Sequence, residues 1–271
     1  MDLQYKTIHP VKYLTDHLEQ GIRPDGRKFI SFRPVSINVS SIVQADSSAI
    51  FKLGDTSAVC GIKAELATPK RNPDHGYIVP NVELSPLCSS KFRPGPPSEQ
   101  AQVLSKLIDI ILSTSRALDL KDLCICKNKL VWVLYCDILC LNYNGSVIDA
   151  CIAAVIAALK TLTLPEVNYN KETGVIVVNP ENRKAFTVRT LPVSASFAIF
   201  EKQLLLADPS DDEEDLSLAK FSIVMDDEEE ICYIHKPGGT AISQNLLCKG
   251  LELTKIRAKS IRSVINAAIQ H

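Results

Sequence analysis

Apolar residues run unbroken over residues 130–136, cross Asp137, and resume over residues 138–141. Aromatic and β-branched side chains lead this run without alternating with polar ones, which predicts a strand covered on both faces. Asn142-Tyr143-Asn144-Gly145 interrupts it with residues that tolerate positive φ. Ser146, with Asp149 three residues on, has capping-box spacing and marks a helix start. Over residues 147–159 that helix is rich in Ala, Ile and Val on every face, so it belongs inside the protein. A buried strand, a tight turn and a buried helix bring free backbone N–H groups to one spot, where an anion can be held.

The pattern elsewhere is simpler. Residues 11–18 form a short amphipathic helix stopped by Gly21. Arg23-Pro24-Asp25-Gly26-Arg27 is a compact turn. Residues 35–39 alternate as a strand, and residues 48–53 and 56–66 form a hairpin around Gly54-Asp55. A loop-heavy stretch holds one strand, residues 77–84. Ser98 then caps a helix whose apolar positions are Val103, Leu104, Leu107, Ile108, Ile111 and Leu112. Beyond Leu164-Pro165 the pattern predicts a hairpin (175–179 with 184–189) and strands 193–200 and 203–208. An acidic loop, 208–215, separates these from a hairpin of 221–225 with 231–236. A last helix carries Leu247, Leu251, Thr254, Ala258, Ile261, Ile265 and Ile269 as one stripe.

Each half is therefore strands followed by helices, an α+β arrangement given twice. The expected organisation is a helical extension over residues 1–22, a first domain over 23–164 and a second over 165–271.

Charge adds a limit. A net charge of −1 argues against a free-standing polyanion binder. Residues 1–130 carry 17 Lys and Arg against 13 Asp and Glu, and the remainder 13 against 18, so one face is mildly basic and another acidic. Nine cysteines without a Cys-x-x-Cys pair, and five scattered histidines, point to reduced thiols rather than structural zinc. No signal peptide or membrane span is evident, and the expectation is a soluble intracellular protein.

Taken in order, Arg23-Pro24-Asp25-Gly26-Arg27, Gly54-Asp55-Thr56-Ser57-Ala58-Val59-Cys60, the strand–turn–helix at 137–159 and Leu206-Ala207-Asp208 resemble the RNase PH family of phosphorolytic 3′→5′ exoribonucleases. Residues 79–88 and 92–99 are similar to the non-catalytic ring subunits of the RNA exosome, the eukaryotic ones above all. The resemblance implies an RNase PH-like fold whose two β-sheet-plus-helix halves pack together.

It also implies what is missing. Active members hold phosphate with a Gly-Gly-Thr-Arg turn at the head of the central helix and an Arg on the preceding helix. Here the turn reads Gly145-Ser146-Val147-Ile148, and Asp109-Ile110 stands where active members show Gly-Arg. Asp208 matches the first metal carboxylate and Glu214 falls at the second. Removing one preorganised oxyanion donor costs on the order of 10²–10³ in rate, so no catalytic residue, cofactor or resident metal is expected. Residual Mg²⁺ at Asp208 and Glu214 is the alternative, weighed against a solvated acidic loop.

Arg71, Lys91 and Arg93 are candidate RNA-backbone contacts on loops, and Arg23 and Arg27 are either RNA contacts or ion-pair partners. The implied role is a structural exosome ring subunit that supports 3′→5′ RNA processing and degradation. Its partners are other RNase PH-like ring subunits, S1/KH-type cap subunits and RNA within the ring, in nucleus, nucleolus and cytoplasm. An active phosphate-dependent exoribonuclease and a stand-alone RNA-binding adaptor are the competing functions.

Overall fold

A computed structural model describes residues 2–69, 72–170 and 174–270. The first half is a sheet in the order β1-β2-β3-β6-β4. Its strands are β1 (Val35–Val39), β2 (Ser47–Leu53), β3 (Thr56–Ala67), β4 (Tyr77–Leu84) and β6 (Leu130–Asn142), with β5 (Cys124–Cys126) paired onto β6. Gly54-Asp55 closes the β2–β3 hairpin, with Leu53 opposite Thr56 and Gly54 at φ +55°, as a two-residue turn requires. β4 runs parallel to its neighbour β6, and the other pairings among the described residues of this sheet are antiparallel. Helix α4 (Val147–Lys160) packs against β2 and β3 and is buried from Val147 to Leu159, as its uniformly apolar faces predict. Helix α3 (Glu99–Thr114) lies along β4, and Ser98 accepts the Ala101 N–H at its start.

Two expectations for this half change. On β6, Leu134, Cys136, Ile138 and Cys140 are buried, whereas Tyr135 and Asp137 on the opposite face are exposed. The strand is thus covered on both faces only at its start, and Asp137 accepts a hydrogen bond from Asn81 on β4 (3.3 Å). Val103 is exposed because it falls on the edge of the α3 stripe that faces a cleft.

The second half begins with a ribbon of β7 (Thr163–Tyr169) and β8 (Ile176–Ala185). The hairpin expected between 175–179 and 184–189 is absent; residues 176–179, 184 and 185 lie on one strand, β8, and β7 is the partner. Pro165 hid this because proline reads as a terminator, yet an edge ribbon tolerates it. A four-stranded sheet follows in the order β10-β9-β11-β12, from β9 (Val193–Phe200), β10 (Leu204–Ala207), β11 (Ala219–Met225) and β12 (Ile231–His235). The acidic stretch expected as a loop is partly helix α5 (Asp211–Leu216), begun by a capping box of Ser210 and Glu213. Helix α6 (Gln244–Gln270) buries Thr254, Ala258, Ile261 and Ile265. Val193, Val224 and the α6 residues Ala258, Ile261 and Ile265 join the apolar cluster of the first half, so the halves share a core. All nine cysteines are free thiols. Among the described residues no helix is long and apolar enough to cross a membrane.

The N-terminal segment forms α1 (Asp2–Ile8) and α2 (Pro10–Glu19). Leu14 packs on Ala198, Phe200 and Leu206 of the second half. Arg23 follows, 1% exposed. It pairs with both oxygens of Glu213 on α5 and donates to the carbonyls of Ala207 (2.7 Å) and Asp208 (3.0 Å). A desolvated guanidinium bonded through all three nitrogens is a structural clamp. Removing it leaves Glu213 charged and unpaired, so Arg23→Ala should lower the unfolding free energy by about 3–5 kcal/mol in urea titrations.

Candidate functional site

The turn between β6 and α4 lies on the seam of the halves. Thr56 Oγ1 donates to the Gly145 carbonyl (2.8 Å) and accepts the Asn144 N–H (3.2 Å). Arg33 Nη1 donates to the Asn144 carbonyl (2.7 Å). Gly145 and Ser146 are both left-handed, at φ +72° and +51°. A Cβ on Gly145 would stand 2.4 Å from the Pro209 carbonyl oxygen, so only glycine lets the second half approach this closely.

Ser146 occupies the N-cap position of α4 without capping it. Its hydroxyl donates across the seam to the Pro209 carbonyl (3.0 Å). Asp149 does not turn back on Ser146 either; its carboxylate accepts the Ser196 N–H and hydroxyl, both at 2.9 Å. The capping box expected here is therefore replaced by contacts to Pro209 and to β9. The free N–H of Ser146 donates instead to Oε1 of Glu214, at 2.5 Å. Glu214 reaches in from α5, and its other oxygen accepts Lys220 Nζ (3.3 Å). The helix terminus thus has an anion, and the anion is the chain's own carboxylate. Burial raises the pKa of Glu214, opposed by Lys220 and the Ser146 N–H.

Asp208 sits behind this contact, 1% exposed. Arg33 grips it three ways: Nη2 to Oδ1 (2.6 Å), Nε to Oδ2 (3.0 Å) and its backbone N–H to Oδ2 (2.8 Å). Arg27 adds a longer contact at 3.3 Å. Burial resists ionisation of Asp208, but the Arg33 hydrogen bonds and charge outweigh it and hold the carboxyl below its usual range. Among the described residues no three His, Cys, Asp or Glu side chains are disposed to hold a metal.

In front of the turn, between α3, α5 and the β11–β12 edge, lies a cleft of about 510 Å³. Ile148, Val147, Leu104, Leu107, Tyr143 and Glu214 are among its walls. Gly145, Ser146, Ile148, Asp208 and Glu214 therefore come together, while Ile110 is half-buried on α3 and does not line the cleft. Lys91 Nζ is bound to Asp211 (2.7 Å) and Asp215 (2.5 Å) of α5. Arg93 is exposed without a partner among the described residues, and Arg71 lies outside them. Sequence reasoning missed Arg33, Thr56 and Lys220. The one available signal was Asp208 at the end of the apolar run Leu204–Ala207, since a carboxylate there needs a buried cation.

The model of the 3′ exoribonuclease family matches its domain 1 over residues 31–165 and its domain 2 over residues 190–257. The chain belongs to the RNase PH family of 3′ exoribonucleases. Among its relatives, the exosome complex component rrp43 of Schizosaccharomyces pombe is 44% identical over 252 residues, 93% of each chain. The exosome complex component Rrp42 of Thermococcus kodakarensis is 36% identical, over 95% of this chain and 94% of that protein. The solved Archaeoglobus fulgidus exosome with RNA bound to the active site superposes with a TM-score of 0.83 at 32% identity, covering 93% of this chain and 96% of that one. The RNase PH fold expected from the motifs is the fold observed.

Two outcomes follow for this family member. Gly145→Ala should lower stability by at least about 2 kcal/mol in urea unfolding, from the left-handed backbone and the clash with Pro209. Burial first, and Asp208 second, push the Asp149 carboxyl up to about 6, opposed by the hydrogen bonds from the Ser196 N–H and hydroxyl. The folded chain then takes up this proton before the unfolded one, whose carboxyl titrates near the ordinary value. The cost of the charge is full above the folded pKa and is relieved as pH falls through it. Between about pH 7.5 and about pH 4 the wild type should gain about 2 kcal/mol relative to Asp149→Asn, measured by unfolding both at each pH.

Proposed function

We propose that this chain is a catalytically silent structural subunit of an exosome ring, supporting 3′→5′ RNA processing and degradation as scaffold and RNA path. The observation that carries this is the Glu214 carboxylate on the Ser146 N–H, where a phosphorolase needs free orthophosphate. A helix N-terminus offers roughly half a positive charge, and Glu214 already uses it. Ile148 supplies no cation to offset a second anion. A phosphate at about 4 Å from that carboxylate would be repelled by a few kcal/mol at the effective dielectric of a protein surface.

The metal positions support the same reading. Both Asp208 oxygens face Arg33, and the Glu214 oxygens face Ser146 and Lys220. Asp208 and Glu214 act as internal counter-ions, so neither Mg²⁺ nor another cofactor is needed. The name and coverage of the fission yeast and archaeal relatives support exosome membership. On this reading the neighbours are other RNase PH-like ring subunits and S1/KH-type caps, in nucleus, nucleolus and cytoplasm. RNA passes as backbone only, with Arg93 an exposed cation on the loop next to Phe92, a residue of the cleft wall.

The pure chain given single-stranded RNA, Mg²⁺ and orthophosphate should release no nucleoside diphosphate above background. Phosphate-dependent release by the isolated chain would establish the active-enzyme alternative. A double substitution, Ile148→Arg with Glu214→Gln, should raise orthophosphate affinity by roughly ten-fold or more in calorimetric titration, by restoring a cation and removing the competing charge.

A further inference from the structure

The segment between β4 and α3 is fixed at both ends and lightly held between them. Cys88 is buried; its N–H and its thiol both reach the Ser85 carbonyl at 3.0 Å, and its own carbonyl accepts the Tyr143 N–H (3.1 Å). At the other end Ser98 caps α3. Residues 93–97 are exposed throughout. Pro94, Pro96 and Pro97 have no N–H to pair, and Gly95, at φ +137° with open space where a Cβ would stand, supplies the bend.

Two side chains carry this segment across the cleft. Phe92 sets its ring edge-on to Tyr143, with 5.4 Å between centroids. Lys91 Nζ meets Asp211 (2.7 Å) and Asp215 (2.5 Å). Lys91 and Phe92 belong to the first half and the two carboxylates to α5 of the second, and all four residues line the cleft. The ion pair therefore joins two of its walls. Burial works against the charge on Lys91, but the two carboxylates outweigh it and raise its pKa, so the pair is charged at neutral pH.

The side chains of Lys91 and Asp215 are 44% and 59% exposed, so solvent and salt reach the bond. Among the described residues the segment's other hydrogen bonds are few and local. Ser89 accepts the Lys91 N–H (3.3 Å) and the Phe92 N–H (3.2 Å), and Gln102 donates to the Pro97 carbonyl (3.1 Å). A buried pair such as Arg23 with Glu213 stays shut, whereas a solvated pair on a hinged segment opens and closes.

We propose that residues 89–97 form a hinged lid over the cleft, latched across the two halves by Lys91 on Asp211 and Asp215 and released by ionic strength. Opening turns about Cys88 and Ser98, withdraws Phe92 from Tyr143 and uncovers the apolar wall of Leu104, Leu107 and Ile148. The lid stands on the geometry of this chain alone and needs neither the ring nor the loss of catalysis.

The Lys91–Phe92 bond is a tryptic site, and cleavage of a folded protein tracks its open population. In the full chain, Asp211→Asn with Asp215→Asn should keep the melting temperature nearly unchanged and speed that cleavage by roughly five-fold or more. The emission of added 1-anilinonaphthalene-8-sulfonate, which reports uncovered apolar surface, should rise with it. In the wild type, hydrogen exchange over residues 89–93 should quicken by roughly three-fold or more between about 0.01 M and about 1 M NaCl, as the screening length falls from about 30 Å to about 3 Å. The Tyr143 N–H, bonded at the hinge, should keep its protection throughout.

Cleavage and emission that ignore the double substitution overturn the latch, and so does exchange that ignores salt. Loss of Tyr143 protection together with the segment overturns the hinge, because the seam itself is then unfolding. If the double variant does not fold, the salt series in the wild type decides.

Discussion

The contact between Glu214 and the N–H of Ser146, the N-cap residue of α4, ties the architecture to the chemistry. An uncapped helix terminus at the seam of two halves needs a negative partner, and the chain provides it from its second half. Behind it, Arg33 and Asp208 form a second charged bridge between the halves, with Arg33 also holding the turn carbonyl of Asn144. Arg257 of α6 donates to the Arg33 carbonyl (3.1 Å), so three distant segments meet on one guanidinium-bearing residue. Buried carboxylates are tolerated here because each is met by donors on every oxygen.

At the head of α4 the Ser146 N–H is held by a bond internal to the chain, to Glu214, whose other oxygen accepts Lys220. Ile148 lines the same cleft with an apolar surface, and Lys91 is held by Asp211 and Asp215 rather than left free for phosphate.

Much of the fold was legible because its signals are local. The apolar helix over residues 147–159, the Gly54-Asp55 hairpin and the strand Tyr77–Leu84 each follow from side-chain period and turn chemistry. Errors arose where distant segments decide. Ser146 and Asp149 have capping-box spacing, but Pro209 and Ser196 compete for them from the other half. Residues 176–179 were paired with the wrong stretch because their true partner, β7, is disguised by Pro165. Ile148 and Glu214 were legible as candidate positions, and both line the cleft. That the Glu214 carboxylate turns onto the helix terminus was not, since no spacing links residue 146 to residue 214.

The most direct test is a crystal structure of the wild-type chain grown in saturating orthophosphate. The account predicts that Glu214 stays on the Ser146 N–H and that no phosphate is ordered at the head of α4. Orthophosphate seated on that N–H, with Glu214 displaced into the cleft, would contradict it.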